Sequence, residues 1–169
     1  AAAVEAAHRA ILDGIAAEPQ TRAGMGATIV IAACDATHVG WAHCGDSRLY
    51  RFVGGTLHGF TRDHSVAAMI EPPRRDERPN AARNQLLRVL GVSDDPIEFD
   101  VHPPVALEPN ERWLLCTDGW WELVLETEME QDLAASSSPA EWLQRMEQRI
   151  ERRLDADSDN YTAIAVWSD

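Results

Sequence analysis

The chain contains no lysine, and all of its basic residues are arginine. That pattern looks like a codon bias of the genome rather than a functional device. Fifteen arginines against 28 acidic residues leave a formal net charge of −13. Such a balance excludes a general binder of nucleic-acid backbones, which needs a positive surface. It suits a site that collects cations, with most of the acids simply solvated surface. No apolar run approaches the roughly twenty residues that span a bilayer, so no membrane partner is expected. No basic region followed by a long apolar stretch opens the sequence, and no signal peptide is expected. Cysteine is scarce too: Cys34, Cys44 and Cys116 lie in or at the end of strand-like apolar runs, without a C-x-x-C pair. They read as buried free thiols in a reducing cytosol, which points to a cytoplasmic protein. Metal ligation by sulfur is not expected.

What is present fits one globular domain over residues 1–169, with 45% hydrophobic and 25% charged residues. Val4, His8, Ile11 and Ile15 recur at helical spacing, so residues 1–17 predict an amphipathic helix. "ATIVIAAC" and "HVGWAHCG" predict one antiparallel hairpin; "RLYRF" and "TLHGF" around Val53-Gly54-Gly55 predict a second. Together these four strands read as a β-meander. Residues 69–82, rich in proline, arginine and acid, predict an exposed flap loop. "NQLLRVLG" predicts a short helix closed by Gly91, and "IEFDVH" and "RWLLCT" predict strands. A helix is expected over 121–133. Ser138, Pro139 and Glu141 open a clearer one, with Trp142, Met146, Ile150 and Leu154 on its apolar stripe. "NYTAIAVW" closes the set as a strand. The sum is an α+β domain with antiparallel sheet.

Three carboxylates share one setting. Asp46 follows "VGWAHCG", Asp118 follows "RWLLCT", and Asp159 precedes "NYTAIAVW". For each alone, a turn or helix cap explains the aspartate. If the strands share one packed sheet system, the three converge on one edge, where hard divalent cations such as Mg²⁺ or Mn²⁺ prefer oxygen ligands.

The sequence around these aspartates carries more. "GMGATIVIA", "GDSR", "TRDHSV", "LLRVLG", "LLCTDG" and "SDNYTAIAV" occur in this order and together resemble the metal-dependent protein phosphatases, the type 2C serine/threonine family, in its compact bacterial form. The resemblance implies an antiparallel β-sandwich flanked by helices in α-β-β-α layers. It implies two metals, Mg²⁺ or Mn²⁺, with Asp118 and Asp159 as ligands, and a third, weaker site to which Asp46 contributes. The activity implied is hydrolysis of phosphoserine or phosphothreonine on proteins by a metal-activated water. The partners implied are a phosphorylated protein substrate and a cognate serine/threonine kinase in signalling.

The family pattern begins upstream of the first helix here, with a phosphate-gripping arginine and an Asp-Gly-x-Gly-Gly motif whose aspartate bridges both metals. Neither is in these residues, so the domain reads as N-terminally incomplete. A longer protein, strands supplied by another polypeptide or a second copy, or a non-catalytic module that binds proteins or phosphoproteins would each account for it. Among the remaining residues, Arg48 reads as a partner for Asp46, and His64 as a turn residue. His43 reads as packing, and Trp120, Trp121 and Trp142 as core aromatics. Arg145, Arg149, Arg152 and Arg153 read as a solvated helix face.

Overall fold

A computed structural model of the chain describes residues 1–71, 74–77, 85–92, 96–156 and 158–168. Two antiparallel sheets carry the fold. One has the order β1 (Ile29–Cys34), β2 (His38–Cys44), β5 (Asp100–Ala106). The other has the order β4 (Thr56–Phe60), β3 (Arg48–Val53), β6 (Glu111–Cys116), β7 (Ala163–Trp167). Both predicted hairpins form, and Gly54-Gly55 turns β3 into β4. They do not make one meander, however. Between Cys44 and Arg48 the chain leaves the first sheet and enters the second, so each hairpin belongs to a different layer.

Strand alternation explains the layering. Val39, Leu49 and Trp113 are buried between the sheets with Val30, Trp41, Val105 and Leu115. The opposite face of the second sheet, through Tyr50, Phe52, Leu114 and Cys116, packs on helices α5 (Glu126–Ala134) and α6 (Pro139–Glu151). The opposite face of the first, through Ala42 and Cys44, packs on Val4, Ala7 and Ile11 of α1 (Ala2–Ala17). The result is α-β-β-α layering, as the resemblance implied, with α2 (Pro19–Arg22) and α3 (Val66–Ile70) as short helices in the connections.

Several expectations are corrected by packing. Residues 85–91 form no helix: Leu86 bridges to Ser65 and Leu90 to Ala27, and Leu90 is buried by those contacts. Tertiary burial there overrides a helix-like local pattern. The predicted 121–133 helix is two, α4 (Asp118–Trp121) and α5, separated by a turn. Strand β5 begins at Asp100, not Ile97, because Ile97 and Phe99 pack into the α1 cluster instead. Cys34 is exposed at the end of β1, whereas Cys44 and Cys116 are buried. Helix α6 starts on Ser138, whose Oγ accepts from the Glu141 amide, but ends at Glu151 and leaves Leu154 exposed. Arg145 makes an i,i+4 pair with Glu141 as a solvated face would, whereas Arg149 is drawn inward to Glu128 and Asp132 of α5, and exposed Arg153 also pairs with Glu128. Of the expected flap, residues 72–73 and 78–82 lie outside the described residues.

Candidate metal centre

Asp46 sits where the chain crosses between sheets. Gly45, with φ of +107°, makes that crossing possible, since a side chain there would run into Thr28. The carbonyl oxygen of Asp46 accepts a 3.0 Å hydrogen bond from the indole N–H of Trp121. Asp118 opens the one-turn helix α4 at the end of β6, and its Oδ1 accepts from the Gly119 amide at 2.9 Å. The segment preceding β7 lies directly against it. Thr117 and Thr162 exchange two hydrogen bonds, the Thr117 amide donating to the Thr162 carbonyl and the Thr162 amide to the Thr117 hydroxyl, each at 3.1 Å. Gly119 packs on the main chain of Asp159 and Asn160. The Asp159 carboxylate accepts from the main-chain N–H of Asn160 at 2.7 Å, which holds the carboxylate against its own turn.

The structure thus brings Asp118 and Asp159 onto adjoining main chain, and Asp46 close to Asp118. The electrostatics register that closeness. Burial, then the charges of Asp118 and Asp63, push the Asp46 carboxyl up to about 6. Oxygen-only donors, with Asp46 and Asp118 half-buried and repelling each other and Asp159 exposed, fit a hard divalent cation, which would relieve the repulsion. The three carboxylates do not close to within 4.8 Å of one another; among the described residues the one trio that does is His43, His64 and Asp100.

That trio has a different character. The rings of His43 and His64 stack at 4.5 Å, 19° from parallel, so their in-plane lone pairs do not point at a common centre. Nδ1 of His64 accepts from the Gly45 amide, which leaves its proton on Nε2, facing Asp100 at 3.4 Å. Arg88 pairs with the same Asp100 at 3.0 Å. Burial lowers the pKa of both imidazoles, His43's proximity lowering that of His64 further, and favours their neutral forms. The trio is best read as a brace that ties β2 and the 61–65 segment to β5, and through Gly45 it steadies the approach to Asp46.

Arg48 corrects another expectation. Its guanidinium does not pair with Asp46. Instead Nε and Nη2 grip both oxygens of Asp63 at 2.8 Å, and Nη1 donates to the Tyr50 hydroxyl at 3.0 Å. Tyr50 in turn donates to buried Glu126. Sequence reading missed Asp63 because it is 15 residues away; its place in "TRDHSV", just after a strand, was the available signal.

Asp46 also carries a pH prediction for the metal-free protein. Its carboxyl binds a proton more tightly folded than unfolded, so its contribution to stability is full below about pH 4 and is lost as pH rises through about 6. Asp46→Asn is therefore expected to raise the melting temperature in EDTA at pH 7.5, with the difference vanishing at pH 4. Thermal unfolding followed by circular dichroism at both pH values reads this directly.

With its helices on both outer faces of a two-sheet sandwich, the structure has the architecture of type 2C phosphatases. It superposes on the Mycobacterium tuberculosis serine/threonine phosphatase PstP/Ppp with a TM-score of 0.78 at 24% identity, covering 94% of this chain and 66% of that one. A PstP catalytic domain in complex with two manganese ions superposes with a TM-score of 0.79 at 23% identity, covering 99% and 70%. No family model matches the sequence. Similarity to characterised proteins is higher than to those structures: 37% identity over 122 residues with the serine/threonine phosphatase Stp of Listeria welshimeri, and 30% over 122 with the protein phosphatase PhpP of Streptococcus pneumoniae. The first match takes in 70% of this chain and the second 69%, and each takes in 48% of the relative. Over the matched residues the chain is thus similar to bacterial serine/threonine phosphatases, and it spans about half the length of these relatives.

Proposed function

We propose that this chain belongs to a divalent-cation-dependent phosphatase acting on phosphoserine or phosphothreonine in proteins. The observation that carries the reading is the meeting of Asp118 with the Asp159–Asn160 turn at the mouths of β6 and β7, with the Asp46 carboxyl close enough to feel Asp118. In this reading Asp118 and Asp159 hold Mg²⁺ or Mn²⁺, and Asp46 contributes to a further, weaker site. Bound there, a divalent cation lowers the pKa of a water and withdraws charge from phosphoryl oxygens. The chain's own part is to fix three carboxylates in the connections beside its strands and to keep Asp46 and Asp118 partly desolvated. Two manganese ions in the PstP neighbour support the cation class. The cytoplasmic, signalling context and a cognate kinase follow from the family alone.

The remainder of the family domain has a natural seat. Among the described residues β7 ends its sheet, and its Ile164 and Val166, laddered against Leu115 and Trp113, are 59% and 42% exposed. Strands added to that edge, from a longer product or a second chain, would cover both side chains and extend the ladder. The test is hydrolysis of a phosphothreonine peptide by this chain, alone and fused to the upstream segment of a family relative. Turnover dependent on Mn²⁺, abolished by EDTA and by Asp118→Asn, is expected once the segment is supplied. A completed chain that binds the peptide without turning it over would instead establish a binding module.

A further inference from the structure

One buried guanidinium reaches the candidate site through a single indole. Arg48, 1% exposed, lies with its Cζ 3.6 Å from the ring centre of Trp121. Trp121 is in the helix that Asp118 opens, and its indole N–H holds the carbonyl of Asp46. The guanidinium is itself locked by the two-pronged grip on Asp63 and by the Tyr50 hydroxyl. A planar, delocalised cation suits this place: it satisfies its donors in the ring plane and stacks through its face, which an ammonium does not do.

We propose that Arg48 and Trp121 form a positioning relay that fixes the spacing of Asp46 from Asp118. The proposal rests on the metal-binding reading of those two carboxylates. Neither residue touches the cation. Arg48 sets the tilt of the indole, the indole sets the height of the Asp46 main chain, and the helix carrying the indole sets Asp118. Energetically the relay holds two like-charged carboxylates in register before a cation arrives, so that binding is not preceded by rearrangement. Groups that orient ligands in this way typically account for about 10–100-fold in metal affinity.

The test is Mn²⁺ binding, read from the loss of the free-ion signal in electron paramagnetic resonance. Trp121→Phe removes the N–H donor and keeps an aromatic face, and should weaken Mn²⁺ binding about tenfold. Arg48→Lys keeps the charge and removes the planar fork, and should weaken it in the same direction. Trp142→Phe is the matched control. Trp142 is equally buried, and its N–H donates at 3.0 Å to the Met129 carbonyl rather than to the site. It should lower stability and leave affinity at the wild-type value. Wild-type affinity in Trp121→Phe and Arg48→Lys overturns the relay alone, as does an equal loss in Trp142→Phe. A wild-type chain without Mn²⁺ affinity overturns the metal reading and the relay with it.

Discussion

Arg48→Met is expected to lower the unfolding free energy by about 3–5 kcal/mol, the cost of breaking a buried ion pair by removing one partner. The side chains of Arg48 and Asp63 are each 1% exposed, so the carboxylate left behind has no water to turn to. The Tyr50 hydroxyl and the Glu126 carboxylate lose their shared cation in the same step. A double variant, Arg48→Met with Asp63→Leu, should recover part of that loss, because the Asp63 carboxylate is no longer buried alone, while Glu126 still lacks its cation. Urea unfolding of the two single variants and the double gives the coupling. Strict additivity would show that the pair is not the unit described here. The same double variant should bind Mn²⁺ poorly however stable it is, since the indole has lost its platform.

Gly119→Ala is the second large effect. A Cβ at 119 would fall inside contact distance of the Asn160 carbonyl oxygen, 3.0 Å from its carbonyl carbon and 3.3 Å from the Asp159 carbonyl oxygen. These are main-chain atoms pinned by the Thr117–Thr162 hydrogen bonds, so they have little room to give. Overpacking of this kind costs about 1–3 kcal/mol. The functional consequence should be larger than the structural one, because the clash lies between the two proposed ligands. Gly59→Ala is the comparison: nothing lies within 4 Å of a Cβ placed there, and both stability and Mn²⁺ affinity should stay near wild type. Equal behaviour of the two variants would mean that the contact of Asp118 with the 159–160 turn is incidental.

Local chemistry made part of this fold legible. The Ser138 cap and the first three residues of the apolar stripe of α6 are written in consecutive residues, as are the two hairpins, and these formed where the pattern placed them. Which sheet each hairpin joins is not written there, because alternation marks two faces of a strand without naming its neighbours. Residues 85–91 misled for a related reason: leucines at helical spacing are equally good at filling separate pockets, and Leu90 is claimed by the α1 cluster. At the site, the three aspartates stood out by their common place at strand mouths. Their setting did not. Asp63 as the true partner of Arg48, the His43–His64–Asp100 brace and the indole beneath Asp46 all join residues at least 15 positions apart. Pairings of that range are decided by topology, which consecutive residues do not state.

The central claim is that Asp118 and Asp159 hold a divalent cation, and titration of the purified chain with Mn²⁺ tests it most directly. The account predicts saturable binding that Asp118→Asn and Asp159→Asn each weaken by more than the about 10–100-fold that an outer-shell change would cost. Both variants should keep the wild-type fold by circular dichroism. Binding at wild-type strength in both, or none in the wild-type chain, would contradict it.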